Sequence, residues 1–168
     1  MSSEKSLILN AQQVRQKLLR MAQELYEVHY GASEIVLIGI DKTGWELAQE
    51  LHQAFVQVSS IPTQLCKITF DKKNKTTPLL SAEIDLKKKC IVLVDDVINS
   101  GRTLMFATQF LCNQDPSRLS VVTLINREHR LFPISANVVG LTLSTNFKEH
   151  VQVDKVKDGF EVYLMNSK

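Results

Sequence analysis

The chain has 168 residues, of which 44% are hydrophobic and 23% are charged, proportions that are ordinary for a soluble globular protein of one domain, residues 1–168. The formal net charge is only +2, which is too small to indicate nucleic-acid binding from charge alone. No apolar run approaches the length of a membrane span and the N-terminus lacks the apolar core of a signal peptide, so we expect a cytoplasmic protein that does not contact a membrane.

The first third of the chain alternates between helix and strand patterns. Asn10 resembles a helix N-cap with Gln13 three residues later, and apolar residues then follow at spacings of three and four. The segment 34–40, EIVLIGI, is nearly all apolar and β-branched, which is typical of a strand covered on both faces. Apolar spacing over residues 47–58 predicts a second helix.

The same alternation continues to the C-terminus. Strands are predicted at 64–70, 89–95 and 119–126, with a helix from about Thr103 to Asn113. Shorter strands are predicted near 137–143, 151–154 and 160–165, the last two as a hairpin. Alternating strands and helices predict an α/β fold with a mainly parallel central sheet flanked by helices and a small C-terminal strand region. Such sheets bind ligands at the carboxyl ends of their strands.

The stretch 71–85, DKKNKTTPLLSAEID, differs from the rest of the chain. It is polar and lysine-rich, contains a proline and has no clear periodicity. Because it is longer than most connections in a compact domain, it is either a working lid or a disordered loop.

The stretch 91–103, IVLVDDVINSGRT, places a Ser-Gly turn between a strand pattern and a helix pattern. A loop that enters a helix exposes backbone N–H groups at the positive end of the helix dipole. Gly101 allows close approach of the backbone to a ligand, and Ser100 and Thr103 add hydroxyl donors. Residues 99–103 are therefore suited to hold a phosphate monoester.

Two adjacent carboxylates, Asp95 and Asp96, precede this turn. Because carboxylates repel phosphate, they should face another part of the same ligand. A ribose diol or a hydrated magnesium ion would suit them, and together with the phosphate these describe a ribose 5-phosphate. The alternative is a tight turn whose acids are merely solvated.

This stretch closely resembles the PRPP-binding signature of type I phosphoribosyltransferases. The segments KSLILNAQQVRQKLLRMAQEL, VLIGIDKTGWELAQEL and LINREHRLFPISANVVGLTLST extend the likeness over most of the chain. In order and spacing they are similar to the family of bifunctional pyrimidine-operon attenuators and uracil phosphoribosyltransferases. The resemblance implies the type I phosphoribosyltransferase fold and the conversion of uracil and PRPP to UMP and pyrophosphate with Mg²⁺. It also implies an assembly of two or more subunits.

The resemblance assigns roles residue by residue. Asp95 and Asp96 would hold the ribose hydroxyls, directly or through Mg²⁺ bound by way of water or PRPP. The 5-phosphate would be cradled by Asn99, Ser100, Gly101, Arg102 and Thr103. The turn that binds pyrophosphate in the family corresponds to Asp41, Lys42, Thr43 and Gly44. The segment near the base, which also contributes to RNA contact in the family, corresponds to Arg127, His129 and Arg130. The 71–85 stretch would be the lid over the reacting centre.

Four residues depart from the family pattern. Thr43 stands where the attenuator family usually has an arginine, and the acid Asp41 begins the same turn. Asn99 stands where several purine phosphoribosyltransferases have an aspartate that acts as a base. Glu128 replaces a family glycine, and its negative charge should disfavour RNA phosphates. These departures leave two alternatives: an RNA-binding regulator that senses uridine nucleotides, and a nucleotide-binding homologue with little turnover.

Two glycines in the second predicted strand–helix unit have the spacing of a Walker A loop. Trp45 and Glu46 follow Gly44 where that loop has Lys and Ser or Thr, so ATP binding by that device is excluded. A plain helix N-terminus is the other interpretation.

The remaining histidines and the cysteines carry little chemical signal. His29 and His52 fall on predicted helices and are expected at the surface. The three cysteines are odd in number and widely spaced, which supports neither a disulfide framework nor a zinc site.

Overall fold

The structure is a computed structural model that describes residues 5–71, 77–146 and 149–166. Within these ranges the chain forms three helices and nine strands. In chain order they are β1 (Lys5–Leu9), α1 (Ala11–Val28), β2 (Ile35–Ile40), α2 (Asp41–Val58), β3 (Thr63–Phe70), β4 (Pro78–Leu80), β5 (Cys90–Ile98), α3 (Arg102–Cys112), β6 (Arg118–Arg127), β7 (Val138–Leu143), β8 (Glu149–Val156) and β9 (Gly159–Asn166). None of the helices in the described ranges is both long and apolar enough to cross a membrane.

Six strands form the central sheet in the order β4-β3-β2-β5-β6-β7. All neighbouring pairs are parallel except β3 and β4, which pair antiparallel at one edge. This confirms the predicted α/β fold with a mainly parallel sheet. The chain leaves β2 toward β3 on one side and later returns to β5 on the other side. The carboxyl ends of β2 and β5 therefore lie side by side where the strand order reverses, the position at which such sheets bind ligands.

Helices cover both faces of the sheet. The apolar sides of α1 and α2 pack on one face, in a core cluster that includes Leu25, Leu47 and Val92. The α3 helix packs on the opposite face, in a cluster that includes Leu93 and Leu104. Both faces of β2 and β5 are thus buried, which is why their sequences are continuously apolar rather than alternating.

A second, antiparallel sheet has the order β1-β9-β8. The predicted C-terminal hairpin is confirmed by the pairing of β8 with β9 from Glu149↔Asn166 to Val156↔Gly159. The β1 strand was not expected, because its five residues are too short for a periodic pattern and their partner lies at the other end of the chain. Phe160 and Val162 of this sheet are fully buried in the same cluster as α1.

The α1 helix begins at a capping box and is followed by a buried histidine. Its predicted capping box is confirmed: the Asn10 side chain accepts from the Gln13 N–H at 2.9 Å, and the Gln13 side chain accepts from the Asn10 N–H at 2.9 Å. The expectation that His29 lies at the surface is wrong, because its side chain is only 1% exposed and Nε2 lies 3.1 Å from Ser120 Oγ. His29 follows Leu25 by four residues, so it continues the apolar stripe of the helix under β6.

The predicted lid is described only in part, because residues 72–76 lie outside the described ranges. After them, β4 pairs antiparallel with β3, with Phe70 opposite Pro78. The Ser81 N–H donates to the Lys67 carbonyl at 2.8 Å, and the Ser81 hydroxyl accepts from the Lys67 N–H at 3.1 Å. The second half of the stretch is therefore bound to the edge of the central sheet.

Candidate active site

The two aspartates lie on β5 rather than in the loop after it. The strand was predicted to end at Asp95, but it continues to Ile98, which pairs with Asn126 of β6. Val94 and Val97 both pack into the cluster beneath α1 and α2, although a regular strand would place residues three apart on opposite faces. The strand alternation is thus interrupted at Asp95 and Asp96, close to its carboxyl end.

Their carboxylates are held by the local backbone. The Asp96 N–H donates to Asp95 Oδ1 at 3.0 Å, and the Val97 N–H donates to Asp96 Oδ1 at 2.9 Å. Burial, followed by the charge of Asp96, raises the pKa of Asp95 well above its usual range. Burial is also the main cause that raises the pKa of Asp96, and the nearby charge of Asp41 adds to both shifts. This cluster of acids favours a ligand that brings hydroxyl donors or a cation.

The Ser-Gly turn forms a small cavity at the start of α3. The cavity has a volume of about 70 Å³ and is lined by the turn, by the first residues of α3 and by Asp95. Gly101 is the N-cap with φ of +83°, and the Ser100 hydroxyl accepts from the Arg102 N–H at 3.3 Å. The first N–H groups of a helix cannot be satisfied within it, so this cavity offers backbone donors at the positive end of a helix of 11 residues. It can hold a small anion.

The segment after β6 is hydrogen-bonded to this turn. The Ser100 carbonyl accepts from the N–H groups of Leu131 at 3.0 Å and Phe132 at 3.1 Å. A Cβ atom added at Gly101 would stand 2.7 Å from Ile134 Cγ2, so a side chain there would displace Ile134 in addition to straining the positive φ. The predicted base region and phosphate turn are therefore one connected unit. The resemblance places Leu131 and Phe132 in the base region, but their bonds to the phosphate turn were not predicted, because backbone hydrogen bonds leave no side-chain pattern.

The predicted pyrophosphate turn is helical. Asp41 has φ of +52° and begins α2 directly after β2, so the four residues Asp41 to Gly44 form the first turn of the helix. A Cβ atom at Gly39 would stand 2.4 Å from Trp45 Cα, and one at Gly44 would stand 2.9 Å from the Val94 carbonyl oxygen. The glycine pair thus lets the helix fold back over β2 and against β5. This close packing accounts for the glycine spacing.

The exposed side of this first turn faces the small sheet. Lys42 and Thr43 line an open cavity of about 520 Å³, together with Lys5, Asp154 and other residues of the small sheet. Lys5 is already bound to Asp154, with Nζ 2.9 Å from Oδ2. Glu46 lines the same cavity, and any contact of Lys42 and Thr43 with a pyrophosphate stays a prediction.

The three cationic residues at and after the end of β6 contact other atoms of the protein. Arg127 is only 7% exposed, and its guanidinium donates to Asn99 Oδ1 at 2.7 Å and to two atoms beyond β7. His129 Nε2 contacts the Thr145 carbonyl. The Arg130 guanidinium donates to the Ile134 carbonyl and to Asn126 Oδ1. These contacts shape the segment, and any contact of the three residues with a ligand stays a prediction.

The aspartate pair fits one way of binding Mg²⁺ and not another. Among the described residues, no group of three or more His, Cys, Asp or Glu side chains is arranged to hold a metal ion. Mg²⁺ commonly binds through one or two carboxylates, with waters and substrate phosphate oxygens completing its shell. Asp95 and Asp96 fit an ion that arrives with a phosphorylated substrate, whereas a dedicated protein cage does not fit.

Comparisons with known proteins identify the family of the chain. A model of the phosphoribosyl transferase domain matches residues 5–157. Proteins named bifunctional protein PyrR from Bacillus cereus (strain B4264) and Bacillus anthracis (strain A0248) are each 32% identical over 163 residues, covering 90% of this chain and 91% of the relative.

Solved structures show the same fold at lower identity. A hypoxanthine phosphoribosyltransferase of Trypanosoma cruzi has a TM-score of 0.80 at 16% identity, covering 99% of this chain and 98% of that chain. A hypoxanthine-guanine phosphoribosyltransferase from Bacillus anthracis has a TM-score of 0.73 at 18% identity, covering 95% of this chain and 99% of that chain.

Proposed function

Because this chain belongs to the phosphoribosyltransferase family, we propose that it converts uracil and PRPP to UMP and pyrophosphate with Mg²⁺. The observation that carries the proposal is the meeting of three elements at one edge of the sheet. These are the anion cavity at the start of α3, the aspartates of β5 and the first turn of α2. A ligand with a phosphate, a diol and a second phosphate group matches these three elements in order.

Different residues of the chain would bind different parts of the ligand. The 5-phosphate would accept hydrogen bonds from backbone N–H groups at the start of α3 and from the hydroxyls of Ser100 and Thr103. The ribose hydroxyls would donate to Asp95 and Asp96. The pyrophosphate would lie by Lys42 and Thr43.

The transfer breaks the bond between the anomeric carbon and a pyrophosphate oxygen, and pyrophosphate leaves with the electron pair of that bond. A new bond forms from the carbon to a ring nitrogen of uracil, whose proton passes to the departing pyrophosphate. Positive charge develops on the ribose, and the carboxylates of Asp95 and Asp96 stabilise it electrostatically. Mg²⁺, when bound, neutralises charge on the leaving pyrophosphate. The 71–85 stretch would exclude water as a lid, because water would otherwise hydrolyse PRPP.

Uracil is proposed ahead of a purine base for two reasons. The relatives that share 32% identity over nearly the whole chain are PyrR proteins, and the REHRLFP segment resembles the base region of the uracil-using family. The hypoxanthine-using structures, at 16% and 18% identity, support the fold alone.

The test is a product assay with PRPP, Mg²⁺ and a panel of uracil, hypoxanthine and guanine. The proposal expects UMP and pyrophosphate from uracil, with at least a hundredfold loss in the Asp95→Asn/Asp96→Asn double variant. Formation of IMP or GMP without UMP would leave the family assignment intact and overturn uracil as the base.

A second candidate function is nucleotide binding with little turnover. Asp41 favours it, because this acid lies close enough to Asp95 and Asp96 to raise both pKa values and would also repel a pyrophosphate. Calorimetry would then detect binding of UMP or PRPP, while no pyrophosphate forms. An Asp41→Asn variant that gains turnover would identify this charge as the cause.

RNA regulation receives less support from the geometry of the cationic segment. Arg127 is buried, and the guanidinium of Arg130 is bound to Ile134 and Asn126. Glu128 is exposed beside them and accepts from the Ser144 hydroxyl at 2.6 Å. RNA binding would show itself as an affinity that falls with salt and drops on Arg130→Ala.

We also propose, from the family resemblance, an assembly of two or more subunits, which analytical sedimentation would test. We propose that the protein is cytoplasmic, which cell fractionation would test.

A further inference from the structure

A separate cavity lies where the turn between β8 and β9 meets α1 and α2. Its volume is about 360 Å³, and it shares no lining residue with the cavity at the start of α3. Pockets that bind small molecules typically have volumes of about 300–1,000 Å³ and often form where two structural units meet. This cavity forms where the small antiparallel sheet meets the helices of the central sheet, and the proposed transfer does not use it.

Two contacts hold the turn between β8 and β9 to the two helices. Arg15 Nη1 of α1 donates to the Asp158 carbonyl at 2.7 Å, and Lys155 Nζ of β8 is paired with the Glu50 carboxylate of α2. Gly159, which follows Asp158, is buried and has φ of +127°. Because these contacts belong to the protein itself, the cavity is pre-formed and a ligand need not order its walls.

The guanidinium of Arg15 has one edge left for a ligand. Its bond to the Asp158 carbonyl uses Nη1, and within the described ranges Nε and Nη2 donate no hydrogen bond and Arg15 joins no ion pair. Nε and Nη2 together form an edge of the guanidinium that can bind a carboxylate or a phosphate through two parallel hydrogen bonds. Because the Asp158 atom that accepts is a neutral backbone carbonyl, the charge of Arg15 stays available to an anion.

The charges around the cavity also favour an anion. Three cations and two acids line it, namely Arg15, Lys155, Lys157, Glu50 and Asp158. Glu50 neutralises Lys155, and among the residues that the structure describes Lys157 forms no ion pair. One positive charge is therefore in excess in the lining, and an anionic ligand would balance it.

The apolar part of the lining comes from α1 and α2. Leu18 and Ala54 are buried, whereas Leu19 is one of the large hydrophobic residues that remain exposed, at 41%. A ligand that covers Leu19 would remove apolar surface from water, which is favourable. The cavity thus combines a cationic group with an apolar wall, and a matching ligand carries both an anionic group and an apolar part.

We propose that this cavity binds a small organic anion in which a carboxylate or phosphate group is attached to an apolar ring or chain. The Arg15 guanidinium binds the oxygens of the anionic group, and Leu19 packs against the apolar part. None of the residues assigned to phosphoribosyl transfer lines the cavity, so this inference stands or falls separately from the proposed function.

The test is an NMR titration of the full chain with benzoate, phenyl phosphate and the neutral benzyl alcohol. We expect at least one of the two anions to shift the amide signals of Leu19 and Gly159 saturably at millimolar concentration, and the alcohol to leave them in place. The amide signal of Gly101 reports separately on phosphate bound at the start of α3. No saturable shift at Leu19 and Gly159 with either anion, or an equal response to benzyl alcohol, would overturn the proposal.

Variants then test the two residues that define the ligand class. Arg15→Gln should raise the Kd of the anion about three- to fivefold, the effect expected when one exposed charged group is removed. Leu19→Gln should also raise it, because the apolar wall is lost. Lys17→Gln is the matched control, since it removes one positive charge from the same helix outside the cavity, and its Kd should equal that of the wild type.

Both altered residues are exposed, so each variant serves as a check if the other does not fold. A Kd unchanged in both Arg15→Gln and Leu19→Gln would overturn the assignment of the anion to this cavity. Equal weakening in Arg15→Gln and Lys17→Gln would also contradict it, because the anion would then respond only to the net charge of the protein.

Discussion

Gly44 lies directly against Asp95. A Cβ atom added at Gly44 would stand 3.6 Å from Asp95 Cα and 2.9 Å from the Val94 carbonyl oxygen. The first turn of α2 and the carboxyl end of β5 are thereby in van der Waals contact. Gly44 and Asp95, 51 positions apart in the chain, can meet this closely because Gly44 has no side chain.

Gly44→Ala should force these two elements apart. We expect a stability loss of about 1–3 kcal/mol from overpacking and a PRPP affinity reduced at least tenfold, because Lys42 and Thr43 move relative to Asp95. Urea unfolding and calorimetry with PRPP measure the two effects. Gly140→Ala is the matched control, since its added Cβ would stand 2.5 Å from the Leu124 carbonyl, away from the site. If both variants keep wild-type PRPP affinity, the contact does not position the ligand.

Asp95→Asn should stabilise the fold while it removes activity. The change eliminates a partly buried charge beside Asp96 and Asp41, and an amide oxygen still accepts from the Asp96 N–H. A gain on the order of 1 kcal/mol would raise Tm by a few degrees in a domain of this size. Calorimetric unfolding of the apo protein measures it, with Asp158→Asn on an exposed turn as control. A lower Tm in Asp95→Asn would mean that the acids do not repel one another in the apo protein.

Gly101→Ala should cost more than Gly31→Ala. Both glycines have positive φ, +83° and +79°, so both substitutions strain the backbone by roughly 1 kcal/mol or more. Only Gly101 has a close neighbour, Ile134 Cγ2 at 2.7 Å from an added Cβ, whereas nothing lies within 4 Å of one at Gly31. The excess loss in denaturant unfolding therefore reports the packing of the base segment on the phosphate turn. Equal losses in the free energy of unfolding would show that Ile134 moves aside at little energetic cost.

His29 should make the protein sensitive to acid. Burial, followed by the charge of Arg118, lowers the pKa of His29 from 6.5 to about 4. The unfolded chain then binds the proton more tightly than the folded chain, so stability falls as the pH drops from about 6.5 to about 4. From the size of the shift, the loss is about 3 kcal/mol at pH 4.

The measurement for His29 is the free energy of unfolding from pH 7 to pH 4 in wild type and in His29→Gln, which keeps a partner for Ser120. We expect the wild-type curve to fall about 3 kcal/mol further than that of the variant. His52→Gln, on the half-buried side of α2, is the control. Parallel curves for wild type and His29→Gln would assign the acid sensitivity to other groups.

The sequence predicts the strands, the helix start and the turn that build the site, because each of them depends on neighbouring residues. Apolar runs mark β2 and β5, and the capping box of Asn10 marks the start of α1. The acids and the turn after them identify the edge of the sheet at which ligands bind. Each of these inferences depends on residues within one turn or one strand.

The missed features depend on contacts between distant parts of the chain. The pairing of Lys5 with Met165 joins the two ends of the chain. The bonds from the Leu131 and Phe132 N–H groups to the Ser100 carbonyl use only backbone atoms, which any residue supplies. The positive φ of Asp41 at the start of α2 is also missed, since an aspartate at that place does not by itself predict it.

The central claim is that Asp95, Asp96 and the turn after them bind PRPP for transfer. Its most direct test is the formation of UMP and pyrophosphate from uracil, PRPP and Mg²⁺, compared between wild type and the Asp95→Asn/Asp96→Asn variant. The account predicts product with the wild-type protein and at least a hundredfold less with the folded double variant. Equal rates in the two proteins, or no product from any nucleobase with the wild-type protein, would contradict it.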